Sequence, residues 1–170
     1  MGINDSLVES QALPDTEFST VSVPNPENAD TLEEAMRLGD EIGGDVVIGT
    51  DPDCDRMGLA VRDKKTNNLI LLNGNQIGIL LLDYILTSLD NNNQLPKNGA
   101  IVKTIVTTTM ADKIANNYGL KVFDVLTGFK FIGEKIKEWE KTKEYKYIFG
   151  FEESYSYFRG THSRDKDAVV

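Results

Sequence analysis

The sequence predicts an α/β fold in which helices pack against a mixed, mostly parallel sheet. Apolar, β-branched segments alternate with helical patterns over residues 101–151, and this alternation is typical of βαβ units. Upstream, the compact apolar run Val46–Ile48 predicts a buried strand. Two further apolar runs follow at 57–61 and 69–72, and their close spacing predicts a hairpin.

The region before the first strand is predicted to be mainly irregular. Residues 1–28 are polar and contain three prolines, although a short strand is expected near 20–23. Asp30, with Glu33 three residues later, matches a capping box and predicts the start of a helix. Gly43 is expected to end that helix.

The chain divides in composition at Asn73–Asn75, so we expect a domain boundary near residue 72. The helix predicted after this point is apolar around much of its surface and is expected to be buried. The downstream elements are predicted as helices at 76–89, 110–118 and 128–140 and strands at 101–106, 120–123 and 147–151. Residues 168–170 are expected to begin a further apolar helix, which suggests an internal piece of a longer protein.

Composition and charge exclude several classes of partner. The formal net charge of −9 argues against a nucleic-acid surface, which needs a basic footprint. The longest apolar run, at 77–86, is too short to span a bilayer. Cys54 is the single cysteine, so no internal disulfide forms, and it is expected to be a passive small residue. With no secretory signal visible at Met1–Ser10, we expect a cytoplasmic protein.

Three alternating carboxylates, Asp51, Asp53 and Asp55, follow the first predicted strand. They repel one another unless a cation or hydrogen-bond donors neutralise them, and all-oxygen ligands suit a hard cation such as Mg²⁺. Arg56 could contact a phosphate or pair with one of the aspartates. An ordinary solvated acidic turn is the alternative. An EF-hand fits poorly, because Arg56 and Arg62 stand where its glycine and final glutamate belong.

The run Thr50–Arg56, with the sequence T-D-P-D-C-D-R, resembles the metal-binding loop of the α-D-phosphohexomutases, the phosphoglucomutase/phosphomannomutase family. The resemblance implies that Asp51, Asp53 and Asp55 bind Mg²⁺ together with a phosphoserine oxygen. It also implies that Arg56 is a catalytic residue near that phosphate.

A second segment, Pro24–Glu27, is also similar to part of the family's second domain. The resemblance therefore implies that residues 1–72 are the C-terminal part of domain 2 and carry the metal loop. Residues 73–170 would be most of domain 3. Four motifs occur in the family's order, so the resemblance covers nearly the whole chain.

Gly150–Tyr155 is a polar motif at the end of a predicted strand, where ligand sites gather in open α/β sheets. Glu152 and Ser154 stand two residues apart, so both can face one side and hydrogen-bond to sugar hydroxyls. An ordinary acidic turn is the alternative. The motif resembles the family's sugar-binding loop, which implies that Glu152 and Ser154 bind the hexose. Ser156 departs from the family pattern, where glycine is common and would permit a positive φ.

Thr127 and Gly128 open a predicted helix, whose free backbone N–H groups suit an anion or a hydroxyl-rich ligand. Simple capping by Thr127 is the alternative. The family resemblance implies that both residues help to orient the sugar.

The charged run 164–167 contains Lys166, which matches a family lysine proposed as a general acid/base, a catalytic role. A basic lysine needs a lowered pKa, whereas Asp165 and Asp167 would raise the pKa of Lys166 if they were close. An exposed charged turn is the alternative. His162, the single histidine, could contact substrate or lie on the surface.

The resemblance implies an isomerase that transfers phosphate between O1 and O6 of a hexose phosphate through a hexose 1,6-bisphosphate. Its partners would be hexose 1-phosphate, hexose 6-phosphate and the bisphosphate, together with domains 1 and 4 of the parent chain. The phosphoserine motif is absent from this sequence, so the piece alone is expected to be inactive. The alternatives are a haloacid-dehalogenase-type phosphatase and a non-catalytic module that binds a metal or a sugar phosphate.

Overall fold

The computed structural model describes residues 4–163 and 165–168, which form a mixed α/β fold with two sheets. The strands are β1 (Val46–Thr50), β2 (Met57–Arg62), β3 (Leu69–Leu72), β4 (Gly99–Thr104), β5 (Lys121–Val125), β6 (Lys146–Glu152) and β7 (Ser156–Arg159). The helices are α1 (Glu33–Ile42), α2 (Gly74–Asn91), α3 (Met110–Asn117) and α4 (Phe129–Thr142), with 3₁₀ turns at Glu9–Gln11 and Ala29–Leu32.

The first sheet is an antiparallel meander in the order β1-β2-β3, which confirms the predicted hairpin. The expectation that Val46–Ile48 is a buried strand was wrong, because Val46 and Ile48 lie on the open face of the sheet and are 52% and 59% exposed. One face of the sheet packs against α1 through a small core centred on Val47, Ala60 and Leu69. Gly43 ends α1 in a left-handed conformation, as expected. The sheet thereby holds the end of β1 and the start of β2 side by side, with the three-aspartate loop between them.

The second sheet has the order β5-β4-β6-β7 and confirms the mixed, mostly parallel prediction. Strands β5, β4 and β6 are parallel, and β7 returns antiparallel to β6. Helices α2 and α3 cover one face, and α4 covers the other. Strand β7 was not predicted, because only Glu153–Tyr155 separates it from β6 and no glycine marks the turn.

Helix α2 joins the two sheets through a shared apolar cluster. Leu72 of β3 packs in the same cluster as Ile77 of α2 and Phe149 of β6. Only one face of α2 is buried, since Leu80 and Tyr84 are 54% and 69% exposed, so the expectation of a helix buried on most sides was wrong. A single apolar face is sufficient because residues of both sheets share the cluster that covers it.

Local hydrogen bonding also overturned two expectations before β1. Residues 20–23 form turns and bends instead of a strand, and the Val21 N–H donates to the Phe18 carbonyl as in a turn. Asp30 lies inside a 3₁₀ turn and accepts from the Ser22 hydroxyl, so it does not cap α1. The helix expected to begin at 168–170 falls largely at Val169 and Val170, outside the described residues.

Among the described helices, none combines the length and the apolar character needed to cross a lipid bilayer.

Truncation of Leu86 tests the shared cluster. Leu86 is fully buried on α2, so Leu86→Ala should lower the free energy of unfolding by about 2–5 kcal/mol. Tyr84→Ala on the exposed face of the same helix is the matched control and should change it by less than about 0.5 kcal/mol. Urea denaturation followed by circular dichroism measures both, and equal losses would contradict the packing described.

Candidate metal and sugar site

The aspartate loop is closed by backbone hydrogen bonds to Asp51. Asp51 Oδ1 accepts from the backbone N–H groups of Asp55 (2.9 Å) and Arg56 (3.0 Å). The Asp51 carbonyl accepts from the Cys54 N–H at 3.0 Å. Asp51 is buried, and this burial raises the pKa of its carboxyl group despite the hydrogen bond from Arg56. The loop is thus a defined turn, not a mobile acidic stretch.

The three carboxylates converge, because oxygen atoms of Asp51, Asp53 and Asp55 all lie within 4.8 Å of one another. Asp51 is buried, Asp55 is partly buried, and Asp53 is exposed. Within the described part of the chain, Asp55 Oδ1 is buried without a hydrogen-bond partner. A buried carboxylate oxygen that lacks a donor is satisfied by a cation, so these residues fit a hard, oxygen-ligated metal ion.

Two cationic side chains border the cluster. Arg56 Nε lies 3.8 Å from Asp51 Oδ2 and 3.8 Å from Asp55 Oδ1. Lys166 Nζ lies 2.9 Å from Asp55 Oδ2, although 111 positions of sequence separate the two residues. The sequence had directed attention to Asp165 and Asp167 as charge neighbours of Lys166, and it gave no sign of the Asp55 contact.

The predicted sugar motif spans the turn between β6 and β7. Glu152, the last residue of β6, is 6% exposed, and its Oε1 accepts from the Gly128 N–H at 2.8 Å. Burial raises the pKa of the Glu152 carboxyl group, whereas the Gly128 hydrogen bond opposes the shift. Gly128 has a φ of +113°, a conformation that a side chain would strain, so it can present its N–H to Glu152.

Thr127 and Ser154 complete the set of predicted sugar residues. Thr127 is exposed and precedes Gly128, which is the N-cap of α4 and makes no side-chain cap, so capping by Thr127 is not its role here. Ser154 is partly buried, and its carbonyl accepts from the Ser156 hydroxyl at 3.3 Å. The positive φ of this turn falls on Tyr155, so Ser156 occupies an ordinary extended position in β7.

Glu153 anchors the sugar turn, and the sequence analysis did not single it out. Its Oε2 accepts from Thr104 Oγ1 at 3.1 Å and from Thr107 Oγ1 at 3.0 Å. Its carbonyl lies so close to Gly74 that a Cβ there would approach it to 1.9 Å. Thr104 ends β4 and Thr107 follows three residues later, but their spacing in the sequence gives no sign of Glu153, and only the sheet order brings them to it.

Backbone hydrogen bonds join the metal loop to the sugar turn. The Met57 N–H, just after the aspartates, donates to the Tyr155 carbonyl at 3.0 Å. On the other side, the Ala168 N–H donates to the Cys54 carbonyl at 2.9 Å, and the Asp167 N–H donates to the Tyr157 carbonyl at 3.2 Å. The two predicted motifs are therefore parts of one continuous surface.

Two further polar residues lie away from this junction or at its margin. Lys103 is 2% exposed, and its Nζ lies 2.6 Å from Oδ1 of the half-exposed Asp124, an ion pair that the sequence pattern did not indicate. His162 Nε2 lies 3.4 Å from Asp167 Oδ2, and its ring lies 4.9 Å from the Phe158 ring. These contacts give His162 a place beside β7, with its side chain 45% exposed.

Family profiles match most of this chain. The profile of phosphoglucomutase/phosphomannomutase α/β/α domain III matches residues 73–170, and that of domain II matches residues 1–65. The phosphoglucomutase of Staphylococcus epidermidis is 40% identical over 163 residues, which are 96% of this chain and 29% of that protein. The phosphoglucomutase of Staphylococcus aureus is 38% identical over 164 residues, covering 96% and 28% of the two chains. The chain thus spans about 29% of the length of these relatives.

Solved structures share the fold. A phosphoglucomutase/phosphomannomutase family protein from Burkholderia thailandensis superposes with a TM-score of 0.65 at 16% identity, covering 86% of this chain and 28% of that one. The N-acetylphosphoglucosamine mutase of Aspergillus fumigatus gives 0.50 at 19% identity, covering 66% and 22%. The family-profile matches favour the phosphoglucomutase/phosphomannomutase family over a haloacid-dehalogenase-type phosphatase. With its domain III profile matched across residues 73–170, the chain belongs to the phosphoglucomutase/phosphomannomutase family.

Proposed function

We propose that this chain carries the metal loop and the sugar-binding loop of an isomerase that moves phosphate between O1 and O6 of a hexose phosphate. The observation that carries the proposal is the convergence of Asp51, Asp53 and Asp55 within 4.8 Å, next to the turn that bears Glu152. A bound metal ion can offset the charge of a phosphate, and a carboxylate can accept hydrogen bonds from sugar hydroxyls, so together they can position a sugar phosphate.

We further propose that residues 1–72 and 73–170 belong to two successive domains and that the site forms where they meet. The hydrogen bond from Met57 to Tyr155 and the ion pair between Lys166 and Asp55 support a site at this boundary, because each joins a residue of 1–72 to a residue of 73–170. The cofactor is Mg²⁺, held by the three aspartates. A bound divalent cation would offset negative charge on the phosphoryl group that is transferred. A related protein of the same fold, the A. fumigatus N-acetylphosphoglucosamine mutase, was solved with GlcNAc-6P and magnesium.

The roles of the other residues follow from their chemistry. The Glu152 carboxylate and the Ser154 hydroxyl hydrogen-bond to hydroxyls of the sugar ring. Thr127 and Gly128 lie at the same site and help to orient the sugar. Arg56 and Lys166 are cations beside the aspartate cluster and would contact a phosphate group of the substrate. The ligands are a hexose 1-phosphate, a hexose 6-phosphate and a hexose 1,6-bisphosphate. Domains 1 and 4 of the parent protein would supply the phosphoserine and a phosphate clamp.

Metal binding by the chain is tested most cleanly at Asp53, because this side chain is exposed and its loss should leave the fold intact. Mn²⁺, titrated with electron paramagnetic resonance detection of the free ion, should bind to the wild-type chain. Asp53→Asn should weaken the affinity at least about tenfold, as expected for the loss of one charged ligand. Asp83→Asn, an exposed aspartate on α2, is the control for net charge and should bind as the wild type does.

Turnover by the isolated chain is a second test. A coupled mutase assay with glucose 1-phosphate and glucose 1,6-bisphosphate should give no product above background, because the sequence contains no phosphoserine motif. Product formation that depends on Asp51 would show that the transferring group lies within these 170 residues and would contradict the proposal.

The burial of Glu152 predicts a pH dependence of stability. Its pKa is raised by burial, so the folded state holds the proton more tightly than the unfolded state does. The stabilising contribution of the protonated group is fully present below the unfolded value near 4.5 and is lost as the pH rises through the higher folded value. The stability of the wild type relative to Glu152→Gln should therefore increase from pH 7 to pH 4.5.

Urea denaturation at several pH values measures this difference. Glu144→Gln removes an exposed carboxylate and controls for the change in net charge. If the free energy of unfolding of the wild type, relative to that of Glu152→Gln, stays constant or falls as the pH is lowered, Glu152 is not desolvated in solution.

A further inference from the structure

The Lys166 ammonium makes the closest charged contact with the aspartate loop among the described residues. Its Nζ lies 2.9 Å from Asp55 Oδ2, a length typical of a charge-assisted hydrogen bond. Arg56 approaches the carboxylates only to 3.8 Å. The Lys166 side chain is 18% exposed, so this contact is partly shielded from solvent. Lys166 therefore offsets part of the negative charge of the loop.

Backbone hydrogen bonds hold the main chain on the C-terminal side of Lys166. The Ala168 N–H donates to the Cys54 carbonyl, and the Asp167 N–H donates to the Tyr157 carbonyl. The Lys166 N–H donates to Asp165 Oδ1 at 2.9 Å. With the backbone held in this way, the lysine can leave Asp55 by rotation of its four-carbon side chain alone.

A metal ion in the aspartate cluster would share Asp55 with this ammonium. Asp55 Oδ1 is buried and lacks a donor, whereas Oδ2 is occupied by Lys166. A divalent cation on Oδ1 would lie about 5 Å from the ammonium on Oδ2, given metal–oxygen distances of about 2.1 Å. Two positive charges at that separation repel each other, so each weakens the binding of the other.

We propose that Lys166 is a displaceable counter-ion of the metal loop, and that a divalent cation and the Lys166 ammonium compete for Asp55. The inference rests on the proposed metal-binding function. Metal binding releases the ammonium from Asp55, while the hydrogen bond from the Asp167 N–H to the Tyr157 carbonyl keeps the neighbouring main chain next to β7 and the sugar turn. In that position it meets the phosphate or a hydroxyl of the sugar phosphate only when the metal loop is loaded. Lys166 thus acts as a positioning residue, and its contact with the sugar phosphate depends on prior binding of the metal ion.

Titration with Mn²⁺ alone tests the competition. Lys166→Met keeps the length of the side chain but removes its charge, so it should bind Mn²⁺ about threefold to tenfold more tightly than the wild type. Lys166→Arg retains the charge and should bind within about twofold of the wild type. Lys135→Met removes a lysine that pairs with Glu138 on α4, far along the chain from the loop, and controls for net charge.

Amine labelling provides a readout on the wild-type chain. Acetylation by an N-hydroxysuccinimide ester, followed by peptide mass spectrometry, should modify Lys166 at least about threefold faster with Mg²⁺ than without it. Lys135 should be labelled at the same rate in both conditions. In Asp55→Asn, Lys166 should be labelled at the fast rate whether or not Mg²⁺ is present.

The outcomes separate this inference from the proposed function. If Mn²⁺ binds but Lys166→Met has unchanged or weaker affinity, or if Mg²⁺ slows labelling of Lys166, the competition is refuted while the metal site stands. If Mn²⁺ binds to neither the wild type nor Lys166→Met, both the inference and the proposed metal function fail.

Discussion

Mutual repulsion among Asp51, Asp53 and Asp55 is the constraint on which the rest of this site depends. Three carboxylates with oxygens within 4.8 Å hold together only where donors and cations offset their charge. Part of that offset comes from the loop's own amide groups, which donate to Asp51. The remainder comes from side chains and, in the proposed function, from a metal ion. The surrounding fold brings these donors and cations to the loop.

The antiparallel β1-β2 hairpin holds the aspartate loop at one end. Residues of the second sheet, and the segment that follows it, contact this loop. Tyr155 accepts a hydrogen bond from Met57, and the segment around Lys166 returns to the loop through Cys54 and Asp55. Each of these contacts joins residues that are far apart in sequence. These contacts hold the aspartate loop and the β6–β7 turn side by side, and in the proposed function this would keep a metal ion and the sugar in a fixed relative position.

The sugar turn is itself held by buried polar contacts. Glu153 is fixed by two threonine hydroxyls, and Glu152 is fixed by the Gly128 amide. Buried carboxylates are costly unless they accept such hydrogen bonds, so both glutamates are oriented with little freedom. The two adjacent glutamates thus differ in their contacts. Glu153 links the turn to β4 and the residues after it, whereas Glu152 accepts from the N-terminus of α4.

The sequence by itself determined the elements and the residue types of the site, because strand and helix periodicity and the spacing of Asp51, Asp53 and Asp55 are local properties. It could not determine which distant groups meet. The pairing of Lys166 with Asp55, the anchoring of Glu153 and the return of β7 all depend on the order of strands and on the apolar cluster that α2 shares with both sheets. The expected cap at Asp30 was wrong for a local reason, because Asp30 lies within a 3₁₀ turn and accepts from the Ser22 hydroxyl eight positions earlier. Charge and periodicity are properties of the sequence itself, whereas the distance between two charges is fixed only when the chain folds.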